Sequence, residues 1–371
     1  MIDDMRCCGD NINAVTRRGF LVSLMVSVAA ACAGPTRSSS ARRERELLDE
    51  AMALGVTVDL LSHPGPLFEP KLQELGEPVA ADMRTGRIDA AVFAAVPLYP
   101  LIRIEPSGRR TLAREPRPGE LFEVCQEQLD KVTRAARRGI ISIALSPAEI
   151  IAAKRTGVPC AVLGSEGADL LDQDLSRLRA LYGRGVRHVQ LVHRRANHLG
   201  DSQDDQPRHG GLTPFGRDVV REMNRLGMII DLAHATPETV RGVVAESRHP
   251  VICSHTGPYA VRPLRRHLTD DVLKVIATRG GIIGVWPFNR PGETFDHFLR
   301  EIDHVKSVVG IDHVGVGLDL FGLPSTVLPT HKEFALVPAG LLSRGYSQAD
   351  VAKVCGGNFM RVFLAVTETR G

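Results

Sequence analysis

The sequence predicts a (β/α)8 barrel running from about residue 46 to the C-terminus, and three observations carry that expectation. Short β-branched or aliphatic runs alternate with segments whose apolar residues recur at helical spacing. Repeated along nearly the whole chain, this unit favours a closed parallel barrel over an open sheet. Several of the runs end on His, Glu or Asp, and the C-terminal strand ends are where a parallel barrel assembles a site. No GxGxxG motif follows a strand, which weighs against a nucleotide-binding doubly wound fold.

The clearest unit is Met228–His255. Met228–Leu232 and Pro250–Ser254 are too short for helices and lead into His234 and His255. Between them, TPETVRGVVAES has a Thr-Pro start, an early Glu and helical spacing. In chain order, the other expected strands are Val56–Leu61, Ala90–Val96, Ile140–Leu145, Cys160–Gly164, Val189–Val192, Gly281–Trp286 and His313–Gly317. Expected helices include Leu121–Arg137, Pro147–Arg155, Leu175–Tyr182, Pro214–Leu226, Asp270–Thr278 and Thr294–Val309. Thr213 and Pro214 form an N-cap and first-turn pair for the fourth of these. The stretch Arg194–Gly211 is irregular and polar, and long enough to suggest a functional loop; a solvated surface loop is the bland alternative.

The 371 residues, 43% of them hydrophobic, suffice for one large core. The net charge is +3, from 46 basic and 43 acidic residues interspersed, so no nucleic-acid-binding stripe is expected. Of the seven cysteines, no pair in the body is spaced CxxC, and Cys160 and Cys253 lie in strand-like runs as small hydrophobes.

Residues 1–32 read as an export signal: TRRGFL supplies a basic start, Val22–Ala31 a short apolar run, and small residues follow. The paired arginines resemble a twin-arginine signal, and Ala30-Ala31-Cys32 resembles a lipoprotein cleavage box that would anchor the chain to a membrane through lipid on Cys32. Residues 33–45 are Ser/Arg-rich and read as a flexible tether, leaving 46–371 as a single domain.

The polar groups at expected strand ends are His63, Glu166, His193, His234, His255 and Asp319. Imidazoles with a carboxylate and without cysteine make a donor set suited to a catalytic zinc-type site. A metal acidifies a bound water, and a free carboxylate takes up its proton; Asp319 is the one best placed for this.

At these residues the sequence resembles the membrane (renal-type) dipeptidase family of zinc metallopeptidases. LGSEGAD, ALYGRGVRHVQLVH, GLTPFGRDVVREMNRLGMIIDLAH, PVICSHTGPYAVRPLRRHLTDDVL, GIDHVGVGLD and GGNFMRVF carry the likeness from about Val56 to Val366. The resemblance implies a (β/α)8 barrel, dipeptide hydrolysis at a two-zinc centre, and a homodimer. By position it implies that Glu166 bridges the metals, that His234 and His255 hold one zinc, and that His193 polarises the scissile carbonyl. It further implies that Arg266 grips the substrate carboxylate and that Asp319 handles the water proton.

The first strand departs from the family's DGHxD. Aligned without a gap, Leu61 stands at the His and His63 at the second Asp; shifted by two residues, His63 is kept and Gly65 stands at the Asp, so either way a carboxylate ligand is lost. Residues two apart in a strand share a face, so Leu61 is expected to place an apolar chain at a ligand position. Phe321 replaces the second Asp of GSDFDG, and His267 replaces the Asn after the arginine. Three outcomes stay open: His63 substitutes as a ligand, a single metal suffices, or turnover is lost. The functions in play are an exported zinc dipeptidase, a catalytically impaired binding protein on the same barrel, and a one-metal hydrolase of another small amide or lactone.

Overall fold

In the computed structural model, residues 55–63, 74–105, 110–323 and 325–367 are described, together with residues 42, 46, 49, 52 and 53. The export signal, Cys32 and the tether (Arg42 apart) lie outside the described residues. The chain divides into units 1–46 and 47–371, and the second unit carries the barrel.

Eight parallel strands follow one another around the sheet: β1 (Val58–Ser62), β2 (Ala90–Ala95), β6 (Cys160–Glu166), β7 (His188–Gln190), β8 (Ile229–Asp231), β9 (Ile252–Thr256), β10 (Ile282–Val285) and β11 (Val314–Val316). Between them run helices α1 (Glu77–Gly86), α2 (Glu120–Arg137), α3 (Pro147–Thr156), α4 (Leu175–Gly183), α5 (Pro214–Leu226), α6 (Pro237–Glu246), α7 (Asp270–Ala277) and α8 (Phe295–Val309). After β11 come α9 (Leu336–Ser343), α10 (Gln348–Ala352) and α11 (Asn358–Thr367). This is the expected barrel with its helices. The caps behave as read: the Thr213 hydroxyl accepts from the Gly216 N–H (2.9 Å), and Thr236 caps α6 in the same way.

Two expectations change. The strand expected at Ile140–Leu145 contracts to β5 (Ser142–Ile143), which pairs only with β6 and lies off the barrel path. A small antiparallel hairpin, β3 (Ile102–Ile104) with β4 (Arg110–Leu112), was not signalled. Its strands are too short to show a period.

The seam between β1 and β11 closes just above the strand ends. The Asp319 N–H donates to the Leu61 carbonyl (2.8 Å) and the His63 N–H to the Leu320 carbonyl (3.2 Å). Buried Asp59 fastens the same seam: its carboxylate accepts from the backbone N–H groups of Leu61 (3.2 Å) and Leu318 (2.9 Å), from the Ser62 hydroxyl and from His331 (3.1 Å). An Asp59→Ala substitution would leave these buried donors without an acceptor. It is expected to destabilise the fold by about 3 kcal/mol or more, read from urea unfolding.

Strand β1 corrects the expectation for Leu61. The register against β2 shifts between Asp59 and Ser62, so the simple alternation of faces is broken there. Leu61 is buried and does not line the principal cavity, whereas His63, two residues on, does. Leu60 takes the barrel-filling position instead. An added Cβ on Gly284 or Gly315 would meet Leu60 Cδ1 at 2.9 and 2.7 Å, so these glycines of β10 and β11 make room for the Leu60 side chain.

Candidate metal centre

A cavity of about 560 Å³ opens at the C-terminal ends of the strands. His63, Glu166, His193, His234, Arg266 and Asp319 all line it. His255, fully buried in β9, stands behind His234. Residues spread over some 250 positions of sequence thus converge, as strand ends of a parallel barrel must. His234, Asp319 and neighbouring Phe321 have φ of +68°, +46° and +67°, a conformation costing on the order of 1 kcal/mol each, which the surrounding packing sustains.

Glu166, the last residue of β6, organises the charges. Its Oε1 faces His234 Nε2 (3.2 Å) and His255 Nε2 (3.5 Å); its Oε2 faces His63 Nε2 (3.3 Å) and His193 Nε2 (3.5 Å). Two donor groups share this carboxylate: Glu166, His234 and His255, and Glu166, His63 and Asp319.

The hydrogen bonds behind the imidazoles decide where their lone pairs point. His234 Nδ1 meets the Asp204 carboxylate at 2.5 Å, so that nitrogen carries the proton. His255 Nδ1 meets Ser254 Oγ (2.9 Å), and the hydroxyl donates onward to Asp231 (2.5 Å), so Nδ1 is again the donor. Both Nε2 lone pairs therefore face one another at 3.1 Å, with a carboxylate oxygen beside them. Two lone pairs and an anionic oxygen repel unless something positive sits among them, so this group fits a cation. Arg266 Nη1 donates to His234 Nε2 (2.8 Å), so the guanidinium and a cation compete for one lone pair.

The second group has the same logic. His63 Nδ1 is bound to the Ala94 carbonyl (2.8 Å), so its Nε2 is what faces Glu166 and Asp319 (3.4 Å). Burial opposes charge on this ring, but the hydrogen bonds toward Asp319 and Glu166 override it and hold its pKa up at about 10. The position demands positive charge, either as a proton or as a cation. Asp319 is accordingly more than the free carboxylate expected from sequence, because one of its oxygens belongs to a donor group. Gly322 lies so close that a Cβ there would sit 2.0 Å from Asp319 Oδ1.

Burial tends to raise Glu166, but the imidazoles gathered around it, His193, His234 and His63, hold it well below the usual carboxylate range. Desolvation pushes His193 well down, and His255 down to about 4, so both rings are neutral at pH 7. His193 Nδ1 is buried without a hydrogen-bond partner among the described residues. Arg266 likewise has Nε and Nη2 unpartnered, with its guanidinium 5.2 Å from the Trp286 ring centroid.

Sequence reasoning missed Asp204 and Trp286. Asp204 lies in the irregular loop Arg194–Gly211, where no periodicity marks one acid among several. Asp204→Ala would free the His234 ring to turn, and is expected to weaken divalent-metal affinity roughly 10- to 100-fold, measured by competition with a chromophoric chelator. Trp286, just after β10, donates its indole N–H to His267 (3.0 Å), which is why the departure at His267 still fits the wall.

A family model described as membrane dipeptidase (peptidase family M19) matches residues 43–371. Dipeptidase tcpJ of Claviceps purpurea is 38% identical over 223 residues, 58% of this chain and 52% of that protein. Dipeptidase verJ of Clonostachys rogersoniana is 34% identical over 258 residues, 67% of this chain and 66% of that protein. The chain thus spans about half to two thirds of the length of these relatives. The crystal structure of an amidohydrolase from Pseudomonas aeruginosa superposes with a TM-score of 0.71 at 26% identity, covering 86% of this chain and 98% of that one.

Proposed function

The chain belongs to the membrane dipeptidase family, and from that premise we propose that it is a zinc-dependent hydrolase cleaving the amide bond of small dipeptides. The observation that carries the proposal is the shared carboxylate: Glu166 sends one oxygen to the His234–His255 pair and the other to His63, on a cavity that also presents Arg266 and His193. Glu166, His234 and His255 would hold one zinc ion, and His63, Glu166 and Asp319 a second. Zinc supplies there an acidified water and a Lewis acid.

The chain's own groups do the rest. Arg266 pairs its fork with the substrate carboxylate, which fixes the dipeptide in register. His193, neutral and with a ring nitrogen facing no protein partner among the described residues, donates an N–H to the oxygen that becomes negative as the carbonyl is attacked. Asp319 accepts the proton that the attacking water loses and returns it to the leaving amine. Trp286 and Phe288 wall the cavity against bulk water. The leader, with its paired arginines and Cys32, supports an activity outside the cytoplasm, periplasmic or lipid-anchored.

The test is a mixed panel of L-L and L-D dipeptides, assayed as purified, after chelation, and after zinc is restored. Hydrolysis is expected to vanish with the chelator and return with zinc. Absence of turnover from folded protein that still binds zinc would favour a binding protein, the alternative suggested by Leu61 in the first strand.

A further inference from the structure

A second cavity, of about 440 Å³, adjoins the first and shares Arg194, Asp204 and Arg265 with it. Its floor is apolar, from Leu98, Ile102 and Leu112, and its charges are unevenly matched. Each of its three carboxylates already has a cationic neighbour. Glu115 pairs with Arg195 (2.6 Å), Asp205 with Arg208 (3.0 Å), and Asp204 with Arg266 (3.7 Å) while it accepts from His234 Nδ1. Two guanidiniums are left over. Arg194 makes no hydrogen bond or ion pair within 4 Å among the described residues, and Arg265 donates only to the Asp205 carbonyl (3.0 Å). Both stand at the junction of the two cavities.

We propose that this second cavity is a specificity pocket for an anionic side chain on the C-terminal residue of the substrate, so that dipeptides ending in glutamate or aspartate are preferred. The proposal rests on the dipeptidase reading for its orientation. With the substrate's carboxylate on Arg266, its amino end lies toward the donor groups, and His63 and Asp319 line only the first cavity. The C-terminal side chain is then the part that faces the junction beside Arg265. A carboxylate there meets two guanidiniums that make no ion pair within 4 Å among the described residues, over an apolar floor that accepts the methylene stem.

The test compares Ala-Glu with Ala-Gln, which has the same shape without the charge, on the zinc-loaded full chain. The kcat/KM ratio is expected to favour Ala-Glu roughly 10- to 100-fold, mostly through KM. It should fall toward one in the Arg194→Gln/Arg265→Gln double variant, and shrink as salt is raised. A wild-type ratio near one overturns the pocket while leaving the dipeptidase intact. If neither peptide is hydrolysed, the dipeptidase reading fails, and calorimetric binding of the same pair decides the pocket. Tighter binding of Ala-Glu, lost in the double variant, upholds it; equal binding, or none, overturns it.

Discussion

A Glu166→Gln protein is expected to fold, to lose zinc from both donor groups, and to hydrolyse dipeptides at least ~10³-fold more slowly than the parent. The reason is topological as much as chemical. One carboxylate supplies an oxygen to His234 and His255 and its other oxygen to His63, so no other single residue among those described serves both groups. Glutamine keeps the volume and one acceptor oxygen but removes the negative charge that offsets a divalent cation in a buried site. Zinc content by elemental analysis, beside near-ultraviolet circular dichroism, separates loss of metal from loss of fold. A His63→Ala protein makes the useful contrast. It removes a donor from the second group only, so zinc retained by Glu166, His234 and His255 tells whether one ion supports turnover. Unaltered zinc binding and activity in Glu166→Gln would displace the shared carboxylate from the centre of the mechanism.

Arg266→Ala is expected to lower kcat/KM for dipeptides by roughly 100- to 1000-fold. Two of its guanidinium nitrogens are buried without hydrogen-bond partners among the described residues, while Trp286 stacks near the group and Asp204 lies 3.7 Å from Nη1. A buried cation so held is ready for an anionic ligand. The loss should appear chiefly as a higher KM, with a smaller fall in kcat, since the grip acts on a part of the substrate remote from the bond that breaks. Dipeptide amides, which lack the carboxylate, should be poor substrates of the parent and nearly indifferent to the substitution. Equal sensitivity of amides and free dipeptides would assign Arg266 to the donor group through His234, rather than to the substrate.

What the sequence determined by itself was the alternation of strands and helices and the residues standing at strand ends. Periods of two and 3.6, caps such as Thr213-Pro214, and short apolar runs are local properties, so Met228–His255 was legible as strand, helix, strand with a histidine at or just beyond the end of each strand. The family motifs added Arg266, which no period marks. The tertiary structure alone decided the rest. Whether Leu61 or His63 reaches the cavity depends on a register shift in β1, which is set by its pairing with β2 and by the Asp59 contacts to Leu318 and His331, more than 250 residues away. The pairing of His63 with Asp319 required closure of the barrel between its first and last strands. Asp204 comes from an irregular loop whose course is held by long-range hydrogen bonds, such as Thr236 N–H to the Asp201 carbonyl and Gln203 N–H to the His234 carbonyl. Local pattern encodes which elements form; contacts between residues distant in sequence fix which side chains meet, and those contacts exist only in the folded chain.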